Sequence, residues 1–398
     1  MQPLIVRNYT TANCVGVGRE ALYRALRERR SGLSHCAFET VDLDTYVGQV
    51  PDDELAPLRN DLTDFECRNN RLAQLGLRQD GFEQAVARLR ERFGASRIGV
   101  FIGTSTAGIL QTELAYRRRG PNNGALPADF RYEHTHNTFS PASFVQRYLG
   151  LTGPAVAVSS ACSSSAKVFG NAQRMIAAGL CDAAIVGGVD SLCLTTLYGF
   201  NSLQLVSKNP CKPFDAARDG ISIGEASGFA LLERSDTPIA GDQLAVLGVG
   251  ESCDAYHMST PHPEGLGARM AMQGALVQAR LGITDIDYIN LHGTATRSND
   301  ATEALAVNMI FGDRVAASST KGWTGHTLGA AGIIEAIISF IAIEENFMPG
   351  SMHTDTIDPS VSIRYLKENR QGQVKRVLSN SFGFGGTNCS LVLSRFKD

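Results

Sequence analysis

Short apolar runs, several of them followed by stretches with helix-compatible spacing, recur along most of this chain. Residues 97–103 (RIGVFIG) and 155–160 (AVAVSS) predict buried strands. The second run gives way to residues 161–179, whose small and apolar side chains predict a buried helix. Residues 183–189 (AAIVGGV) and 228–232 (GFALL) add two more strands. After a polar break at 235–242 (SDTPIAGD) the order begins again. A strand at 244–250, a helix at 267–280 and strands at 286–291 and 315–319 lead to a long helix at 329–344. Strands at 377–381 and 389–393 close the chain. This alternation predicts an α/β fold, and its restart predicts an internally duplicated one with halves 1–238 and 239–398. Residues 117–137, containing RRRGPNNGALP, predict a loop, and RNYTTANC near the start reads as a poor strand.

Composition narrows the classes. With 398 residues, 43% of them hydrophobic, the chain can bury an extensive core. A net charge of −3 gives no global attraction to nucleic acid or to an anionic membrane, so an anionic partner needs a local basic patch. The most apolar helical run, 332–343, is interrupted by Glu335 and is too short to span a bilayer. Nine cysteines without paired spacing, and a start unlike a signal peptide, lead us to expect a reduced, cytoplasmic, soluble protein.

Candidate chemistry gathers at strand-to-helix turns. Cys162 sits where an apolar strand meets a helix, and the free N–H groups and dipole of a first helical turn stabilise a thiolate. The competing reading is a small buried hydrophobe. His292 (in NLHGTAT) and His326 (in KGWTGHTLG) occupy similar turns, where α/β folds display functional groups. They are 34 residues apart with no third ligand at zinc-like spacing, so no metal is expected. Two neutral imidazoles near a thiol suit hydrogen bonding to a developing enolate oxygen. Lys321 lies just before His326 and has an ion pair with Glu303 as one reading, a solvated lysine as another. The loop 381–388 (SFGFGGTN) allows close backbone approach and can supply an oxyanion-hole N–H. Gly16, Gly18 and Ala21 fit a loose dinucleotide pattern, but the poor strand before them and the missing acidic residue argue against it.

Six ordered motifs then carry a family resemblance: GLTGPAVAVSSACSSS, KPFDAARDGISIGEASGFALLER, SCDAYHMSTPHPEG, NLHGTATRSNDATE, STKGWTGHTLGAAGIIEA and NSFGFGGTN. From about residue 97 onward the chain resembles the elongating β-ketoacyl-acyl carrier protein synthases of the thiolase superfamily. The resemblance implies a five-layer αβαβα fold and a dimer, with itself or with a homologous subunit. It makes Cys162 the acylated nucleophile and gives His292 and His326 to malonyl decarboxylation, with Lys321 and Glu303 as supporting ion-pair positions. It makes Glu335 a buried structural glutamate and Asn388 a structural residue of the glycine loop. Phe384 becomes a gate whose N–H completes the oxyanion hole with that of Cys162. Thr294, Thr296, Thr106, Phe200 and Phe382 fall at substrate-binding positions. No cofactor is implied, because the phosphopantetheine arm arrives on the acyl carrier protein. Partners are then that carrier and acyl and malonyl thioesters, with neither nucleic acid nor membrane.

Five departures bear on the pathway rather than the chemistry. Ser163 follows the nucleophile, Arg297 replaces a proline, Gly322 and Trp323 follow the active lysine, Gln204 replaces a carrier-docking arginine, and Thr104 to Thr106 stand where the acyl pocket is usually apolar. They point toward a specialised ketosynthase, for example of an aryl-polyene pathway. Arg68, Arg71, Arg117, Arg118 and Arg119 are candidate docking residues for the acidic carrier. A chain-length-factor-like subunit without activity, and a non-decarboxylating thiolase, are the alternatives. The complete set Cys162, His292, Lys321 and His326 argues against the first.

Overall fold

The computed structural model describes residues 2–234 and 242–396. Each half contributes five strands in one spatial order to a 12-stranded sheet, which also carries Arg364–Tyr365 beside Ala316–Ser318 and Gly16–Val17 beside Leu4–Asn13. In the first half the sheet runs Ala155–Val158, Ile98–Gly103, Ala183–Asp190, Ala226–Arg234, Leu4–Asn13. In the second it runs Ala316–Ser318, Tyr288–Asn290, Arg376–Gly383, Thr387–Phe396, Gln243–Cys253. The first three strands of each set are parallel and the last two antiparallel. The sets join through a two-residue antiparallel pairing, Leu4 with Val246 and Ile5 with Ala245. The duplication expected from element order is therefore present in the hydrogen-bond topology. The break at 235–242 lies almost wholly outside the described residues.

Two equivalent helices, Ser164–Ala177 and Ala331–Glu345, pack on each other and on strands of both sheets. Helix 331–345 is buried from Ala331 to Ile343, as its near-absence of polar residues requires. Helices Arg68–Leu77, Phe82–Phe93 and Ser140–Tyr148 cover the outer face of the first sheet. Leu266–Ala279 and Arg297–Phe311 cover that of the second, which gives five layers. No helix among the described residues is long and apolar enough to cross a membrane.

The start of the chain overturns one expectation. Leu4–Asn13, read as a poor strand, lies mid-sheet between Ala226–Arg234 and Gln243–Cys253. Its two threonines are buried and satisfied: Thr10 Oγ1 donates to Gly76 O (2.9 Å) and Thr11 Oγ1 to Ser227 O (3.1 Å). Gly16 to Ala21 form a tight hairpin and helix start. The Asp80 carboxylate accepts the Arg19 N–H there, at 3.1 Å, where a bound phosphate would have to sit.

Candidate active site

The nucleophile stands on a strained turn. The strand Ala155–Val158 ends, Ala161 takes φ +51°, and the helix begins at Ser164. Neighbouring serines lock this turn: Ser164 Oγ accepts from Ser160 N (2.9 Å), and Ser163 Oγ donates to Ser160 O (2.9 Å). Ser163 Oγ also reaches Thr387 Oγ1 of the glycine loop (2.7 Å). Gly383 runs close against the nucleophile's turn: a Cβ there would lie 2.9 Å from Thr387 Oγ1, 3.0 Å from Ser160 O and 3.2 Å from Cys162 N. This close approach brings the Phe384 backbone N–H to the Cys162 sulfur. The Phe384 ring stacks obliquely on Phe200, centroids 5.6 Å apart.

Both histidines come from the second half. His326 follows Gly325 (φ +71°) and is fixed by its own backbone. Its N–H donates to Ser222 O (2.7 Å) and its carbonyl accepts from Gly224 N (3.0 Å). Its Nε2 lies 2.9 Å from Cys162 Sγ. His292 sits in a loop held by two carboxylates one turn apart on helix 297–311. Glu303 accepts the N–H of His292 and of Gly293 (both 2.8 Å), and Asp300 accepts that of Thr294 (3.0 Å). The two imidazole centroids are 5.4 Å apart.

Lys321 decides how His292 is protonated. Its buried ammonium pairs with Glu335, donates to the His292 carbonyl oxygen and lies 3.4 Å from His292 Nδ1. An ammonium can only donate, so Nδ1 must accept and the ring proton sits on Nε2. The ion pair expected with Glu303 is replaced by one with Glu335: Glu303 is occupied by backbone N–H groups and by Asn380 Nδ2 (3.2 Å).

Burial first, then the charge of Lys321, holds both histidines well below the ordinary imidazole range, so both are neutral at pH 7. Burial likewise pushes the Cys162 thiol up to about 12, against the pull of Lys321 and the Phe384 N–H. A resting thiolate, expected from a helix terminus, is thus replaced by a thiol facing a neutral imidazole. Desolvation of the sulfur outweighs a helix that begins two residues later.

A cleft of about 620 Å³, solvent included, leads to the sulfur. It is lined by Thr294 and Thr296, whose hydroxyls meet at 2.9 Å, and by Phe200, Phe382 and Phe384. Asn388 braces its wall through Asp254 (2.9 Å). Thr106 does not reach this cleft; its hydroxyl is bound to Asp190 (2.8 Å), as is that of Thr104. Asp190 itself escaped the sequence reading, although an acid ending the apolar run AAIVGGV is a visible anomaly. One ligating atom each of Cys162, His292 and His326 lie within 4.8 Å of one another. Cys162 is thus the third ligand that sequence spacing could not supply, and a soft cation such as zinc bound there would block the sulfur.

The proposed docking arginines are engaged within the chain. Arg68 is a core cation, its side chain 12% exposed, clasped by Glu225 (2.5 Å), Asp52 (2.5 Å) and the Val50 carbonyl (3.0 Å), so it is not a docking residue. Arg71 pairs with Glu66, Arg117 with Glu39 (3.5 Å) and Arg118 with Asp129 (3.0 Å), while Arg119 lies over the Tyr116 ring.

Residues 9–237 match the family model described as beta-ketoacyl synthase, N-terminal domain, and residues 244–355 match its C-terminal domain. A 3-oxoacyl-[acyl-carrier-protein] synthase 2 of Rhizobium meliloti is 42% identical over 261 residues, 62% of each chain. The Coxiella burnetii protein of the same name is 34% identical over 76% of this chain and 77% of its own. Among solved structures, a ketosynthase in complex with its chain length factor from Xenorhabdus doucetiae superposes with a TM-score of 0.89 at 36% identity, covering 99% of this chain and 98% of that one. A beta-ketoacyl synthase from Burkholderia phymatum gives 0.88 at 27% identity over the full length of both. With the duplicated sheet, the buried Cys-His-His centre and both domain models in agreement, the chain belongs to the β-ketoacyl synthase family.

Proposed function

We propose that the protein is a 3-oxoacyl-[acyl-carrier-protein] synthase that takes an acyl group onto Cys162 and extends it by decarboxylative condensation with a malonyl thioester. The observation that carries this is the 2.9 Å contact between Cys162 Sγ and neutral His326 Nε2, with His292 beside it and the Phe384 N–H at the sulfur. In the first step the thiol proton passes to His326 as sulfur attacks the acyl thioester. The tetrahedral oxygen is held by the N–H groups of Cys162 and Phe384. His326 then returns the proton to the departing pantetheine thiolate and is neutral again. In the second step the malonyl carboxylate leaves as carbon dioxide. His292 Nε2–H, fixed by Lys321, donates to the enolate oxygen. The enolate carbon attacks the acyl carbonyl on Cys162, and the released thiolate takes up one proton.

The named partner of the Xenorhabdus ketosynthase supports a homologous partner subunit here, with this chain as the member that carries the nucleophile. An acyl carrier protein is the proposed donor, with Arg117 to Arg119 as its docking run; carrier binding that does not weaken with salt counts against that surface. Mass spectrometry of the enzyme mixed with acyl carrier thioesters tests the chemistry. Wild type gains the acyl mass on Cys162 and Cys162→Ala gains none. His326→Ala, which lacks the acceptor for the thiol proton, gains that mass far more slowly. An acyl adduct on Cys162→Ala removes the assignment.

A further inference from the structure

Behind the nucleophile, the strand Ala183–Asp190 ends in a fully buried carboxylate. Asp190 accepts hydrogen bonds from Thr104 Oγ1 (2.8 Å), Ser105 N (2.8 Å), Thr106 N (2.8 Å), Thr106 Oγ1 (2.8 Å) and Ala330 N (3.2 Å). All five donors are N–H or O–H dipoles rather than cations. Left in the core on dipoles alone, a carboxylate costs stability that a well-packed apolar residue does not. A role beyond holding the strand end is therefore the more economical account.

The donors lie on the two segments that flank the reacting pair. Ser105, between the two threonines, donates its hydroxyl to Ala161 O (3.4 Å), on the strained residue immediately before Cys162. Ala330 closes the short turn Leu328–Ala330 that begins two residues after His326. At Gly329 a methyl group would meet Asp190 Oδ2 and Ser105 N, both at 2.7 Å, so the two segments and the carboxylate are in contact with no spare room.

We propose that Asp190 is a positioning residue for the condensation: it ties the turn carrying Cys162 to the turn carrying His326 and so sets the separation of Sγ and Nε2. This rests on the function proposed above. Asp190 touches no substrate in this arrangement; it acts through Ser105 on one side and Ala330 on the other. Thr104 and Thr106 are then the donors that keep the carboxylate in place, which explains hydroxyls where an apolar pocket wall was expected.

Thr106→Val tests it, since it removes one donor to Asp190 at nearly constant shape, with Thr106→Ser as the conservative variant that restores the hydroxyl. Four quantities are read: kcat and KM for condensation, the rate of Cys162 alkylation by iodoacetamide, and the urea midpoint. Thr106→Val is expected to lower kcat about 10- to 100-fold at unchanged KM, the scale of a sub-ångström to 1 Å misplacement. It also changes the alkylation rate several-fold, whereas Thr106→Ser stays within about twofold of wild type in both. If Thr106→Val does not fold, Ser105→Ala, which cuts only the link to Ala161, must give the same loss of kcat. An unchanged kcat, or equal losses in the Val and Ser variants, overturns the proposal. Alkylation needs neither carrier nor malonyl group. A wild type that is inert in condensation therefore refutes the functional reading, while the alkylation comparison still decides the role of Asp190.

Discussion

Replacing Lys321 by methionine, which is unbranched and one atom shorter and removes the charge, separates the support of the fold from the support of the chemistry. Two losses follow from its contacts. Glu335 is left inside the central helical layer without its cation, and breaking a buried pair from one side costs about 3–5 kcal/mol. Protonation limits that loss. Burial already raises Glu335 to about 7 against the opposing pull of Lys321, so without the lysine the carboxyl is neutral at pH 7. The second loss is at His292. Without an ammonium at Nδ1 the imidazole is free to move its proton there, and Nε2 becomes an acceptor where the enolate needs a donor. One lost preorganised donor costs about 100- to 1000-fold in rate. Carbon dioxide release from the malonyl carrier should fall by that factor in Lys321→Met. Acylation of Cys162, followed by mass, should fall far less, because Lys321 bonds to neither the sulfur nor His326. The double variant Lys321→Met/Glu335→Gln should regain most of the lost urea stability and none of the decarboxylation. Wild-type carbon dioxide release by either variant refutes the tautomer argument, and equal losses in both half-reactions refute the division of labour.

Three other outcomes are expected. Alkylation of Cys162 by iodoacetamide should be slow at pH 7 and climb steadily to pH 10, since its thiol titrates near 12; a plateau below pH 8 would mean a resting thiolate instead. Burial raises Glu303 from the usual 4.5 to about 7, so its contribution to stability is complete below about 4.5 and is lost as pH rises through 7. Relative to Glu303→Gln, the wild type should lose about 3 kcal/mol between pH 4.5 and 8 in urea titrations, and parallel curves for the two proteins would contradict this. Arg68→Met leaves Glu225 wholly buried and should destabilise by about 3–5 kcal/mol without changing the salt dependence of carrier binding. A shallower salt slope would restore Arg68 to the docking surface.

Much of the fold was legible because the buried strands are nearly uninterrupted apolar runs. What failed to read has a common cause. Strand 4–13 looks polar because its threonines spend their hydroxyls on carbonyls across the layer, and no local pattern announces such a partner. Lys321 lies 18 residues from Glu303 and 14 from Glu335, and neither separation says which acid the folded chain brings to it. The Cys-His-His centre was legible through motif resemblance, whereas the titration state of the thiol depends on depth, which a motif does not encode. Arg68 and the Arg117 run look alike in sequence; only burial tells a core cation from surface ones.

The two halves meet in a way that makes the reaction a test of assembly. The first contributes the sulfur and the second both imidazoles and the lysine, while the sheets are stitched by a pairing of only two residues on each side. A chain with one half folded holds either a thiol without a proton acceptor or imidazoles with nothing to serve. The centre is therefore assembled only when both halves are folded and the central helical layer has closed.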